Sequence, residues 1–173
     1  MNRSTLKPSP RPSAVRTSTP SNLNDATRER VVAELNDRLA DGTDLHSQVK
    51  VAHWNVKGPQ FASLHPLFEG FAAQIAGWND ELAERAVILG GAAYGTVRHA
   101  ARASRLAEYP CEVTRDLEHV ELLVARFDTF AEGLRATRGL AEELGDIDTA
   151  DLLTAMLQQH EKNGWLLRAT LGV

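Results

Sequence analysis

FASLHPLFEGFAAQIAGWNDELAERAVILGG, residues 61–91, is the stretch that decides the fold of this chain. Its large apolar side chains recur every three or four residues, at Phe61, Leu64, Phe68, Phe71, Ile75, Trp78, Leu82 and Ile88. This spacing places them on one face of an α-helix that stops at Gly90-Gly91. Pro66 lies in the early turns, where a missing N–H matters least, so we expect the helix to continue through it.

The same periodicity on both sides of this stretch predicts three more long helices. The first is expected to begin at Asp25, as its N-cap, and to end before Gly58-Pro59. A third is expected over about residues 112–144. The fourth is expected to follow a cap at Thr149 and to include Trp165 in its apolar stripe.

The segment 92–110 is too long for a tight turn, and a short helix is expected near residues 97–102. No strand-like alternation of useful length occurs in the sequence. Four long amphipathic helices with one long connection between the second and third predict an all-α, ferritin-like four-helix bundle with a crossover.

The amino-acid composition argues against several classes of protein. With 19 basic and 23 acidic residues, the net charge of −4 does not suit a wholly basic nucleic-acid module. The single cysteine, Cys111, excludes a disulfide framework within the chain and favours a reducing compartment. No apolar run approaches the roughly 18 residues of a membrane span, so we expect a cytoplasmic protein without membrane contact.

Charge also divides the chain into two predicted parts. Residues 1–24 are rich in Ser, Thr and Pro and contain no acidic residue, which predicts a disordered basic tail. Residues 25–173 form the predicted bundle domain and carry −8. The four basic residues of the tail, which are candidate nonspecific DNA contacts, are Arg3, Lys7, Arg11 and Arg16. A merely solubilising extension remains the alternative.

Two pairs of candidate metal ligands share the helix quoted above. His65 and Glu69 are four residues apart, as are Asp80 and Glu84, so each pair occupies one helical face. The step from His65 to Asp80 corresponds to roughly 22 Å at about 1.5 Å per residue, too far for one ion to bind both pairs. If all four residues serve one metal site, a second copy of the chain must supply the other pair.

His53 adds a fifth candidate ligand, because it and His65 flank the Gly58-Pro59 turn. Imidazole combined with carboxylate suits Fe(II), Mn(II) or Zn(II). No Glu is followed by His three residues later, so the usual intrahelical di-iron motif is absent from the sequence. Each candidate alone could equally be an ordinary core or surface residue.

The segment HWNVKGP (residues 53–59), followed by Leu64-His65 and Phe68-Glu69 and by the AERA and LGG segments (residues 83–86 and 89–91), resembles the Dps family. These DNA-binding proteins from starved cells are dodecameric mini-ferritins, and the resemblance covers about residues 25–173. It implies a ferroxidase centre at a two-fold interface. His53, His65 and Glu69 would come from one subunit, and Asp80 and Glu84 from its partner. The family often has Asp where this chain has Glu69.

The resemblance also implies two irons per shared site, with Zn or Mn as substitutes. Fe(II) and hydrogen peroxide would be substrates, and a homododecamer would store ferric mineral and protect DNA. Trp54 would take up stray oxidising equivalents beside the site, although it could instead be a core aromatic. Asp146, Asp148 and Asp151 would line pores through which iron enters, although helix capping would also explain acids there.

Two other functions stay open at this stage. The chain could compact the nucleoid through its tails, with iron oxidation incidental. It could also be a structural bundle that binds no metal. Iron oxidation kinetics and salt-dependent DNA binding distinguish these readings.

Overall fold

The computed structural model describes residues 20–173, which form five α-helices. They are α1 (Asp25–Asn55), α2 (Phe61–Ile88), α3 (Val97–Ala103), α4 (Asp116–Glu143) and α5 (Ile147–Leu171). No strand forms in this range, and one isolated bridge joins Lys57 to Arg115. The predicted all-α arrangement, with a short helix in the crossover, is confirmed.

Two helix caps lie at residues other than those predicted. Asn24 caps α1, since its side-chain oxygen accepts a hydrogen bond of 2.9 Å from the Thr27 N–H, so the prediction of Asp25 was wrong. Asp146 caps α5 and accepts from the Thr149 N–H at 3.2 Å, so Thr149 lies inside the first turn. In both cases the capping residue precedes the first helical residue, and its side-chain oxygen reaches a free N–H group of the first turn.

Pro66 lies inside α2 without ending it, as predicted. Leu64 and Phe68 on either side of it are almost fully buried, with 1% and 0% of their surface exposed. Apolar packing on this scale outweighs one missing backbone hydrogen bond, because tertiary contacts supply most of a helix's stability.

The long helices form two hairpins. α1 packs along α2, α4 packs along α5, and α1 also contacts α4 and the short α3. The largest fully buried side chains at their centre include Leu35, Phe68, Ile75, Phe127, Phe130 and Leu153. Trp165 was predicted to belong to the apolar stripe of α5, but 61% of it is exposed in the single chain.

Buried polar side chains hold the crossover against α1. Asn36 donates to the carbonyl of Ala92 at 2.9 Å and accepts from the N–H of Tyr94 at 2.7 Å. The fully buried Asp41 carboxylate accepts two bonds from the Arg105 guanidinium, at 2.7 and 3.0 Å. These contacts fix the long connection, so it does not behave as an independent loop.

The turn between α1 and α2 is bound to the start of α4. Lys57 donates its N–H to Thr114 at 2.7 Å and accepts from the N–H of Asp116 at 2.9 Å. The Asp116 carboxylate then accepts from the N–H of Gln60 at 2.9 Å. Gly58 has a φ of +138°, and a Cβ there would overlap both Asp116 carboxylate oxygens. The turn therefore requires glycine at this position.

Among residues 20–173, no helix combines the length and the apolar character needed to cross a bilayer.

Candidate metal centre

His53 and His65 face each other across the helical hairpin. His53 lies in the last turn of α1, and His65 lies in the second turn of α2. Their rings stack with centroids 3.8 Å apart and planes at 24°. The tight turn at Gly58 brings the two histidines together, as the sequence predicted for the pair.

Reciprocal hydrogen bonds fix the orientation of both rings. Nδ1 of His53 lies 2.8 Å from the carbonyl oxygen of His65, and Nδ1 of His65 lies 2.9 Å from the carbonyl oxygen of His53. A carbonyl oxygen only accepts, so each Nδ1 carries the proton. In the neutral ring this tautomer leaves the lone pair on Nε2, which is the form of imidazole that binds metals.

Glu69 adds a carboxylate beside this pair. Its Oε2 lies 3.3 Å from Nε2 of His53, and the same oxygen accepts a hydrogen bond from the ammonium of Lys50. The Lys50 hydrogen bond holds the pKa of the Glu69 carboxyl below its usual range. The sequence pattern gives no sign of the Lys50 contact, because 19 residues separate Lys50 from Glu69 and only the hairpin brings them together.

Aromatic side chains border the histidines. The Phe61 ring lies 5.0 Å from the His65 ring, and 45% of Phe61 is exposed. Trp54 is 67% exposed in the single chain, so the reading of it as a core aromatic is wrong for the isolated bundle. The ammonium of Lys50 lies 5.7 Å from the centre of its ring.

Asp80 and Glu84 lie toward the opposite end of α2 and are both exposed. Within residues 20–173 of one chain, no group of three or more His, Cys, Asp or Glu side chains is arranged to hold a metal ion. His53 lies close to both His65 and Glu69 in one chain, without the three meeting that arrangement, and Asp80 and Glu84 lie apart from them.

The three acids at the start of α5 differ in their surroundings. Asp146 is buried, with 2% of its surface exposed, and it accepts a bond of 2.6 Å from Arg85. Thr149 accepts from the same guanidinium at 2.8 Å. Asp148 is 87% exposed at its side chain, and Asp151 is also exposed. Asp146 is thus engaged as a cap and ion-pair partner, whereas Asp148 and Asp151 face solvent in the single chain.

The remaining histidines that the structure buries pack in the core. His160 stacks on Phe127 with centroids 4.6 Å apart, and its Nε2 donates to the Phe127 carbonyl at 2.8 Å. Burial lowers the pKa of His160 to about 4. His119 is fully buried, bonds the Tyr109 hydroxyl through Nδ1 at 2.7 Å, and also has a pKa lowered by burial. Neither lies with the predicted ligands.

The candidate DNA contacts Arg3, Lys7, Arg11 and Arg16 lie outside the described residues. The predicted division of the chain at residue 24 and the role of these cations therefore stay predictions.

Comparison with known proteins gives consistent results. A family profile for the ferritin-like domain matches residues 32–173. The DNA protection during starvation protein of Agrobacterium fabrum is 35% identical over 151 residues, which is 87% of this chain and 93% of that protein. The structure of DpsC from Streptomyces coelicolor matches with a TM-score of 0.86 and 29% identity, over 90% of this chain and 91% of that one.

A Dps protein from Vibrio cholerae O1, described as a member of a broad superfamily of ferritin-like diiron-carboxylate proteins, matches with a TM-score of 0.83 and 26% identity. That match covers 90% of this chain and 99% of the other.

Proposed function

The chain belongs to the Dps family of ferritin-like proteins, and on that premise we propose that it is a ferroxidase. It would oxidise Fe(II) at a centre shared between two subunits and store the ferric product in a hollow homododecamer, thereby protecting DNA. One observation carries the proposal. The rings of His53 and His65 stack, and hydrogen bonds from Nδ1 to backbone carbonyls orient both of them, so that in the neutral rings each Nε2 would be the metal-binding atom.

The chemistry of the donors fits Fe(II). Two imidazole nitrogens and the Glu69 oxygen combine borderline and hard donors, a set that suits Fe, Mn or Zn and excludes a thiolate site. In the proposed centre Asp80 and Glu84 of a second subunit complete the ligands of two irons. Zn or Mn would be able to occupy the same positions.

Exposed apolar side chains beside both half-sites support such a subunit contact. Trp54 and Phe61 lie near the histidines, and Val87 and Ile88, which are 52% and 57% exposed, follow Glu84 on α2. A two-fold contact is self-complementary, so it would place each subunit's histidine end against the other's acidic end. Such a pairing would also cover apolar surface that is costly to leave in water.

A pair of irons at the proposed centre would favour hydrogen peroxide as the oxidant. Each Fe(II) gives up one electron, whereas peroxide accepts two electrons when its O–O bond breaks. One iron acting alone would leave a hydroxyl radical, but two irons held together supply both electrons in one event. The carboxylates favour the ferric product, because hard oxygen donors match the harder ion. Trp54, which is exposed and follows His53 in the chain, would intercept an oxidising equivalent that escapes.

Iron must also reach the interior of the proposed shell. Asp148 and Asp151 are exposed at the start of α5, where they would attract cations to a pore between subunits. Asp146 would act there by holding the helix start through its bond to Arg85. Location in the cytoplasm follows from the sequence expectation and is part of the same proposal.

Subunit mixing tests the shared centre directly. Homo-oligomers of His53→Ala and of Asp80→Ala should both lose rapid peroxide-dependent oxidation of Fe(II). When the two variants are unfolded together and reassembled, each mixed pair has one site with every ligand intact. Random pairing should then restore about a quarter of the wild-type rate. Glu81→Ala, which removes a neighbouring exposed acid on α2, serves as the matched control and should keep full activity.

Absence of any recovery in the mixed oligomer would show that the centre is not shared. Unchanged oxidation in both single variants would remove the site assignment itself, because His53 and Asp80 would then have no part in it.

DNA compaction is the second candidate, since residues 1–24 carry a net charge of +4 and the chain resembles a DNA protection protein. One such tail would bind phosphates weakly, but twelve on one particle would act together. Gel retardation that weakens steeply with salt and disappears on deletion of residues 1–24 would support it. Equal retardation by the truncated protein would assign DNA binding to the bundle.

A further inference from the structure

The short crossover helix α3 presents two arginines to solvent. Arg98 and Arg102 are both exposed and lie four residues apart, so their side chains share one face of the helix. Ala100, halfway between them, is buried with 4% of its surface exposed. Residues two apart in a helix point in nearly opposite directions, because each residue turns the helix by about 100°. The two arginines (the α3 arginines) therefore face away from the bundle.

The α3 arginines are not neutralised within the described part of the chain. Neither forms an ion pair with any residue of the range 20–173. Several other arginines at the surface do, and their pairs are Arg135–Glu161, Arg138–Glu142 and Arg168–Asp128. Two further arginines without an ion pair, Arg30 and Arg115, have an acidic residue beside them in the chain, at Glu29 and Asp116. The positive charge at α3 therefore remains available to a partner.

The sequence around α3 contains no acid that would weaken this charge. Residues 85–107 include four arginines and neither Asp nor Glu. Arg85 is held by Asp146 at 2.6 Å, and Arg105 is held by Asp41 at 2.7 Å. Of the four, the α3 arginines are the two that are left without an acidic partner.

We propose that the α3 arginines bind phosphate groups of duplex DNA, so that the bundle itself contacts the nucleic acid. The inference adds a second contact to the DNA compaction proposed above for the tail, and it does not depend on the ferroxidase centre. A guanidinium group is always charged, and its planar fork of N–H donors matches two phosphate oxygens. Cβ atoms one helical turn apart lie about 5–6 Å from each other, so two long side chains reach neighbouring phosphates of one strand.

The crossover holds α3 in place for such a contact. Thr96 caps the helix and accepts a hydrogen bond of 3.3 Å from the His99 N–H. Asn36 and Asp41 bind the crossover before and after α3. A fixed helix loses less freedom on binding than a flexible segment does. The net charge of −8 over residues 25–173 repels DNA elsewhere, and phosphate contacts carry no base sequence, so binding at α3 is nonspecific.

Binding of a fluorescent DNA duplex to the full-length protein, measured over a series of salt concentrations, tests the inference. Arg98→Gln/Arg102→Gln should reduce the slope of log K against log salt by about two for each subunit in contact, because fewer counterions are released. Its affinity at low salt should fall by about tenfold or more. Arg98→Lys/Arg102→Lys keeps both charges and should retain most of the slope. The matched control is Arg135→Gln/Arg138→Gln, which removes two ion-paired charges from α4 and should leave the slope unchanged.

A second variant separates α3 from the tail without shortening the chain. It carries glutamine in place of all four basic residues of the tail, as Arg3→Gln, Lys7→Gln, Arg11→Gln and Arg16→Gln. Salt-sensitive DNA binding should persist in this protein at low salt. It should disappear when Arg98→Gln/Arg102→Gln is added.

The inference is overturned if Arg98→Gln/Arg102→Gln keeps the wild-type slope, or if the α4 control loses as much slope and affinity, since net charge alone would then explain binding. It is also overturned if the wild-type protein or the tail variant does not bind the duplex at low salt. Size-exclusion chromatography adds a last criterion, because dissociation of Arg98→Gln/Arg102→Gln into smaller species would show that these arginines join subunits instead. None of these results bears on the ferroxidase centre, which subunit mixing tests separately.

Discussion

Gly58→Ala should destabilise the protein by loosening the turn that joins the two histidine-bearing helices. Gly58 has a φ of +138°, a conformation that costs about 1–3 kcal/mol for a residue with a Cβ. The new Cβ would also overlap the Asp116 carboxylate and so displace it from the Gln60 N–H. We therefore expect a lower urea midpoint of unfolding at neutral pH and fixed protein concentration. Zn²⁺ binding by the His53–His65 pair should also weaken.

Gly70→Ala is the matched control, because Gly70 lies inside α2 with nothing within 4 Å of the added Cβ. An alanine there should stabilise the helix by about 0.5–1 kcal/mol. The two variants make the same chemical change on either side of His65, and their unfolding free energies should differ by about 2 kcal/mol or more. A Gly58→Ala protein that unfolds at the same urea concentration as Gly70→Ala would refute this account of the turn.

Three further predictions concern buried polar groups. Since burial lowers the pKa of His160 to about 4 from 6.5, the unfolded chain takes up a proton that the folded chain refuses, so this group destabilises the fold as pH falls from 6.5 toward 4. The free energy of unfolding falls by about 3 kcal/mol over this pH range. The urea midpoint of His160→Gln should therefore fall less than that of the wild-type protein between pH 6.5 and 4, and an equal fall in both proteins would contradict this assignment. Arg85→Met leaves the buried Asp146 carboxylate unpaired and should cost about 3 kcal/mol, while adding Asp146→Asn should recover part of the midpoint. Asn36→Ala should speed amide hydrogen exchange at residues 92–95, and unchanged exchange there would show that other contacts fix the crossover.

Periodic apolar residues were enough to predict the bundle. The stripe from Phe61 to Ile88 identified α2 correctly, and the long 92–110 segment identified the crossover with its short helix. The helix starts were less predictable. Several capping residues lie close together before α1 and α5, and backbone geometry selects Asn24 and Asp146 from among them.

Tertiary contacts explain where the other predictions differ from the structure. α4 was expected to begin near residue 112, but it begins at Asp116, whose backbone and side chain bind the turn at Lys57 and Gln60. The sequence gives no local signal for that contact, which spans more than fifty residues. Trp165 was predicted from periodicity alone, and spacing cannot tell a stripe that packs within the chain from one that remains exposed.

In the candidate site, too, some features follow from the sequence and others depend on tertiary contacts. His53 and His65 could be paired from the sequence, because a short turn separates them. The hydrogen bonds from each ring to the backbone carbonyl of the other histidine could not be predicted, since they depend on the angle at which the two helices meet. The Lys50–Glu69 contact also requires the hairpin, because it joins residues on different helices.

His65 and Glu69 are separated along α2 from Asp80 and Glu84, and this separation determines when the protein would become active. On the proposed pairing, a newly made polypeptide contains two incomplete halves of different reaction centres and so cannot oxidise iron by itself. Oxidation of Fe(II) would start only when subunits associate, which is also the step that begins to build the shell for the insoluble ferric product. Ferric mineral would then form inside the assembled shell that stores it, and not on unassembled subunits elsewhere in the cell.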